Sequence, residues 1–167
     1  MALGNLDDLF LHLLKDTYDA EKRLLRALPK MAKAASSEEL AAAFQEHKKV
    51  TEKQVDRLEK VFGVIKKPAR GKKCVAMEGL IAEASELFEE DAEPPVLDAA
   101  LIAAAQKVEH YEIAAYGTMV TYAQILGLDK AVKLLEETLA EEKETDEQLT
   151  QIATEINFEA EEADEEE

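Results

Sequence analysis

The stretch Asp98–Thr118 reads DAALIAAAQKVEHYEIAAYGT, and its apolar residues Leu101, Ala104, Val108 and Ala115, continued by Met119, recur at helical spacing, not at alternate positions. Two acids interrupt the stripe. Glu112 is central between Leu101 and Met119, and Glu109, one turn earlier, lies on the flank. An ionised carboxylate buried without compensation costs several kcal/mol. The segment therefore predicts a core-facing helix that needs neighbouring helices to supply a shared partner for its charges.

Working outward, Pro95 suits the first helical turn and Gly127 the stop, which defines one long helix, followed by a second over roughly Asp129 to Phe158. In that second helix Glu142 and Asp146 are central between Leu135 and Leu149. The N-terminal half has the same design. Asn5 is a good N-cap, and the stripe Leu6, Phe10, Leu13, Leu14, Leu24, Leu25, Leu28 and Met31 carries Glu21 on its axis, with a bend expected at Pro29 and the end near Ala35. Ser36 with Glu39 forms a capping box that opens the next helix, in which His47 and Thr51 are central between Leu40 and Leu58 and Gly63 is the stop. Residues 63–94 form a crossover containing a short amphipathic helix marked by Val75, Met77, Leu80, Ile81, Leu87 and Phe88. Four helices of roughly 28 residues, paired by short turns and joined by one long crossover, match the ferritin-like four-helix bundle, here with an extra short helix in the crossover.

Composition agrees with an all-α fold. The 167 residues include six Gly, four Pro and no Trp, and the formal net charge is −17, which repels phosphate backbones and anionic lipid and argues against nucleic-acid and membrane partners. The N-terminus lacks the basic start and apolar run of a secretory signal, and a lone Cys74 makes no internal disulfide, so a cytoplasmic location is expected. Glu159–Glu167 carries seven acids in nine residues and reads as a disordered, solubilising tail after a bundle spanning residues 1–158. Lys66, Lys67, Arg70, Lys72 and Lys73, with no aromatics among them, read as a solvated linker. Beside those cations, Cys74 is expected to have a lowered pKa, which makes it a weak redox candidate.

Glu21 and His47 lie 15 and 11 residues from the Ser36 turn, and Glu112 and Glu142 each lie 15 from Gly127. At 1.5 Å per residue they meet roughly 17 to 23 Å from either end of the bundle. Glu21, His47, Glu109, Glu112, Glu142 and Asp146 are thus the candidate metal ligands. Five carboxylates are nearly neutralised by two divalent ions, while His47 supplies a neutral nitrogen. Compensation by Lys or Arg is the rival, weakened because Lys22, Arg23, Lys48, Lys107 and Lys143 project away from the stripes; protonated or water-bridged carboxyls are another. Tyr116, one turn beyond Glu112, is placed either to hydrogen-bond a ligand carboxylate or to pack in the core.

The stretches DLFLHLLKDTYDAEKRLLRALPKMAKAA (Asp8–Ala35), CVAMEGLIAEA (Cys74–Ala84), Asp98–Thr118 and LLEETLAEEKETDEQLT (Leu134–Thr150) resemble the YciF and YciE group of bacterial ferritin-like stress proteins and, more distantly, rubrerythrin. The resemblance implies a ferritin-like fold, a homodimer and a link to stress responses. Di-iron bundles commonly carry Glu-x-x-His on two helices; here Phe44 stands three residues before His47, and the last helix has no histidine. The oxygen-rich set admits two iron ions, with manganese or magnesium as alternatives. The functional expectation is a dinuclear centre that oxidises Fe(II) or consumes peroxide, with oxygen or peroxide as the small oxidant. The alternatives are a structural or interaction protein whose site only stabilises the bundle, and iron storage in a hollow shell.

Overall fold

The computed structural model describes residues 3–163. Helix α1 spans Leu6–Ala34, α2 Glu38–Val64, α3 Val75–Glu86, α4 Pro94–Ile125 and α5 Asp129–Glu162, with one 3-10 turn at Leu87–Glu89. Helices α1 and α2 pack as a pair, as do α4 and α5; α1 also lies against α4 and α2 against α5, closing a four-helix bundle. The crossover helix α3 rests on α1 and α4. The all-helical bundle with one long, helix-bearing crossover is the architecture that the apolar stripes predict.

Local chemistry explains most boundaries. The side chain of Asn5 accepts a hydrogen bond from Asp8 N at 2.8 Å and starts α1. Gly127 adopts φ 69° after α4, the left-handed conformation that a glycine terminator provides. Pro29 is accommodated inside α1. Both ends of α2 differ from expectation. The N-cap of α2 is Ser37, whose Oγ accepts from Leu40 N at 3.3 Å, because Ser36 is engaged elsewhere: Asp98 at the start of α4 accepts from Ser36 N, Ser36 Oγ and Ser37 N at 2.8, 2.6 and 2.8 Å. At the far end, α2 runs through Gly63 to Val64, and Lys66 takes the positive φ of 54°.

Helix α5 continues four residues past Phe158, where the sequence reading ended it. Glu and Ala are strong helix formers, and lengthening an existing helix needs no new nucleus. Asp164–Glu167, the rest of the expected tail, lie outside the described residues.

The apolar core has two halves. Leu24, Leu28, Met31, Leu40, Phe44, Met77, Leu101 and Leu149 fill the end that holds the Ser36 turn. Phe10, Leu14, Leu58, Phe62, Met119 and Leu135 fill the other. Each such side chain contributes roughly 1.5–3 kcal/mol on burial. On all four long helices, the residues that separate the two halves are the polar ones picked out above.

Candidate metal centre

Each long helix brings its inward polar residue to the boundary between the apolar halves: Glu21 from α1, His47 from α2, Glu109 and Glu112 from α4, and Glu142 from α5. The four glutamates are completely buried and His47 is 5% exposed. His47, Glu109, Glu112 and Glu142 each offer one ligand atom, and these atoms all lie within 4.8 Å of one another. Nε2 of His47 is 3.4 Å from Oε1 of Glu109. Glu21 joins from the Glu112 side, where the two carboxyls are within hydrogen-bonding reach. Its Oε1 accepts the Tyr116 hydroxyl, so Tyr116 takes the ligand-orienting position that its spacing from Glu112 allows.

Apart from the Tyr116 hydroxyl, no donor among the described residues reaches this layer. Both side-chain oxygens of Glu109, Glu112 and Glu142, Oε2 of Glu21 and Nε2 of His47 are buried with no hydrogen-bond partner. Among the described residues, no Lys or Arg forms an ion pair with any of the four glutamates, which removes the rival compensation by basic side chains. Arg57, a buried guanidinium on α2, is bound instead by Glu141 at 2.6 and 2.8 Å and by Glu137 at 2.6 Å.

Burial and crowding dominate the protonation equilibria. Burial pushes Glu21 up to about 7, against the opposing effects of the Tyr116 hydrogen bond and the adjoining Glu112 carboxyl. Burial likewise carries Glu109 up to about 8, with the charges of Glu21 and Asp146 adding to the effect. Glu112 and Glu142 are raised well above the carboxylate range by burial first and by their carboxylate neighbours second. Without a cation, burial and mutual repulsion therefore favour the protonated forms of Glu112 and Glu142. Burial lowers His47 to about 4, so the imidazole is neutral at pH 7 and has a lone pair to offer.

Asp146 is brought only to the edge. Its Oδ2 lies 3.1 Å from Nε2 of His110 and its Oδ1 3.3 Å from Nε2 of Gln106, with the side chain 22% exposed. Four residues after Glu142 it is rotated about 40° further round the helix, which turns it towards the outer face of α4. Its charge still reaches Glu109.

Cys74 departs from expectation as well. It is fully buried, and burial raises its thiol pKa against the hydrogen bonds with Tyr111 and Met77 N. Its Sγ accepts from Met77 N at 3.4 Å and lies 3.1 Å from the Tyr111 hydroxyl, which donates to Asp16 at 2.9 Å. Cys74 thus caps α3. The basic linker is exposed, tied down by Lys72 N to Lys15 O at 3.0 Å and by Lys73 to Glu78 at 2.7 Å. Sequence reasoning missed Asp98 and the Arg57–Glu141 pair. A signal for the latter existed in Glu137 and Glu141, spaced one turn apart on the helix that faces α2. Among the described residues, no helix is long and apolar enough to cross a membrane.

The chain is 54% identical to protein YciF of Escherichia coli strain K12 over 154 residues, covering 92% of this chain and 93% of that one. The crystal structure of the E. coli stress protein YciF superposes with a TM-score of 0.90 at 53% identity, covering 92% of this chain and 98% of that one. YcfI of Rhodopseudomonas palustris, described as a candidate structural protein, matches with a TM-score of 0.87 at 43% identity over 89% and 94% of the two chains. A protein of Xanthomonas campestris pv. campestris, at 20% identity and a TM-score of 0.77 over 97% and 99% of the chains, shares the fold. With residues 5–161 matched by the family model described as "Domain of unknown function (DUF892)", and with this identity to YciF along most of both chains, the chain belongs to the DUF892 family.

Proposed function

We propose that the chain is a metal-binding, ferritin-like member of this family of stress-protein homologues, with a dinuclear centre held by Glu21, Glu109, Glu112, Glu142 and His47. One observation carries the reading: a buried layer of carboxylate oxygens and one imidazole nitrogen with, Tyr116 apart, neither donors nor cations to satisfy them. Four inward carboxylates are neutralised by two divalent ions, whereas the same charge left bare in an apolar core is costly. Tyr116 orients Glu21, the two apolar clusters exclude water on either side, and Asp146 adds negative charge at the rim. The nearly all-oxygen set suits iron, manganese or magnesium, with iron favoured by the bundle context. Bound iron would supply electron transfer to a small oxidant, oxygen or peroxide. The homodimer that the family resemblance implies belongs to the same proposal.

The test is anaerobic loading with Fe(II) followed by exposure to oxygen or peroxide. Oxidation by the wild type that is lost in Glu112→Ala supports the redox reading. A second reading is favoured by the ligand set, which has one nitrogen and no Glu-x-x-His: the ions only stabilise the bundle. In that case a chelator lowers the melting temperature and the loaded protein shows no turnover.

A further inference from the structure

A buried centre needs a way in, and the grooves between the helices differ in charge. Between α2 and α5 lies a cleft of about 230 Å³ whose lining includes Glu46, Val50, Glu141, Glu144, Thr145 and His47. It continues into a groove of about 530 Å³ that shares Glu46 and Gln148 with it and adds Glu39 and Glu155. A groove against α4 is also acidic, with Glu83, Glu86 and Glu90 beside Lys107, but none of the clustered ligands lines it; two further grooves are mainly basic. The cavity between α1, α3 and α4 has an apolar floor and carries Arg23, Arg26 and Lys30; the groove between α1 and α2 carries Lys33, Lys48 and Lys49.

His47 belongs both to the lining of the acidic cleft and to the buried ligand cluster. It is 5% exposed, and its Nε2 has no hydrogen-bond partner. Glu141 is held against the wall by the two-pronged contact with Arg57 and by Gln54 at 3.2 Å. At the mouth, Glu144 makes no ion pair among the described residues, and Glu46 touches only the exposed Lys49 at 2.8 Å.

We propose that divalent cations enter through this α2–α5 cleft, drawn in by Glu46 and Glu144 and received by His47 at its floor. The inference rests on the dinuclear-centre reading. A cleft lined by one sign of charge concentrates counter-ions and raises their association rate, while the Lys- and Arg-lined grooves repel them. Glu46 and Glu144 act on entry, whereas the buried glutamates set retention.

The experiment is stopped-flow uptake of Co(II) alone, followed by its visible absorption, in the full chain. The Glu46→Gln/Glu144→Gln variant is expected to load about ten-fold more slowly at low salt. It should reach the wild-type Co(II) stoichiometry, and the difference should shrink at about 0.5 M salt. Glu159→Gln/Glu161→Gln, which removes the same charge from the exposed end of α5, should load at the wild-type rate. Loading of the cleft variant at the wild-type rate, or equal slowing in the α5 control, overturns the route while leaving the centre standing. A wild type that takes up no Co(II) overturns the centre itself, and the route with it.

Discussion

The phenol of Tyr116 on α4 donates to Oε1 of Glu21 on α1, leaving Oε2 of the same carboxylate buried and without a partner. One oxygen is fixed by the protein and the other is free for a ligand, as expected of a carboxylate oriented by a neighbour to bind metal. Tyr116→Phe keeps the packing and removes that donor. The variant should lose about 1–3 kcal/mol of stability in chemical denaturation with chelator present, and its metal affinity should fall about 10- to 100-fold. Unchanged affinity would reduce Tyr116 to a core residue.

Protonation of the cluster couples to folding in a defined direction. The folded-state values of Glu21 and Glu109 are raised to about 7 and about 8 from an ordinary 4.5, and Glu112 and Glu142 are raised further. Between those limits the native chain holds protons that the unfolded chain has released, so stability falls as pH rises. His47, lowered to about 4 from 6.5, opposes this below pH 6.5 and adds nothing above it. Chelator-treated protein should therefore lose on the order of 5 kcal/mol between pH 6.5 and 8 in urea titrations. A flat or rising profile over that range contradicts the protonated cluster.

Asp98 accepts three hydrogen bonds from Ser36 and Ser37 while 2% exposed, tying the α1–α2 turn to the first turns of α4. Asp98→Ala should cost about 2–4 kcal/mol in thermal or urea unfolding and leave metal stoichiometry intact, since the contact lies at the end of the bundle. A loss of metal without a loss of stability would mean that Asp98 acts on the centre.

Cys74 is fully buried and its thiol pKa is raised, so the thiolate available for reaction is scarce. A disulfide reagent such as DTNB should label the folded protein at least about 100-fold more slowly than the denatured chain. Rapid labelling in the native state would restore the redox reading of this residue.

Much of this was legible from periodicity. Glu21, His47, Glu112 and Glu142 lie on the axes of their stripes, and counting residues from the two turns brings them to one depth; the structure places them between the two apolar halves. The failures have a common cause in contacts made far along the chain. Ser36 yields the cap to Ser37 because Asp98, 62 residues away, claims it. Arg57 is buried by partners on α5 more than 80 residues distant. Asp146 shares a helix face with Glu142 at one-turn spacing, yet the added rotation is enough for His110 and Gln106 to hold it at the rim. Cys74 follows five cations in sequence, but the fold turns those cations to solvent and the thiol to the core.

The central claim is that the buried carboxylate layer is a metal centre, and metal content tests it most directly. Untagged protein purified without chelator should carry about two equivalents of iron or manganese per chain by inductively coupled plasma mass spectrometry, and Glu112→Ala should lose them. A folded wild type that is purified without metal and takes up no added Fe(II) or Mn(II) would contradict the account.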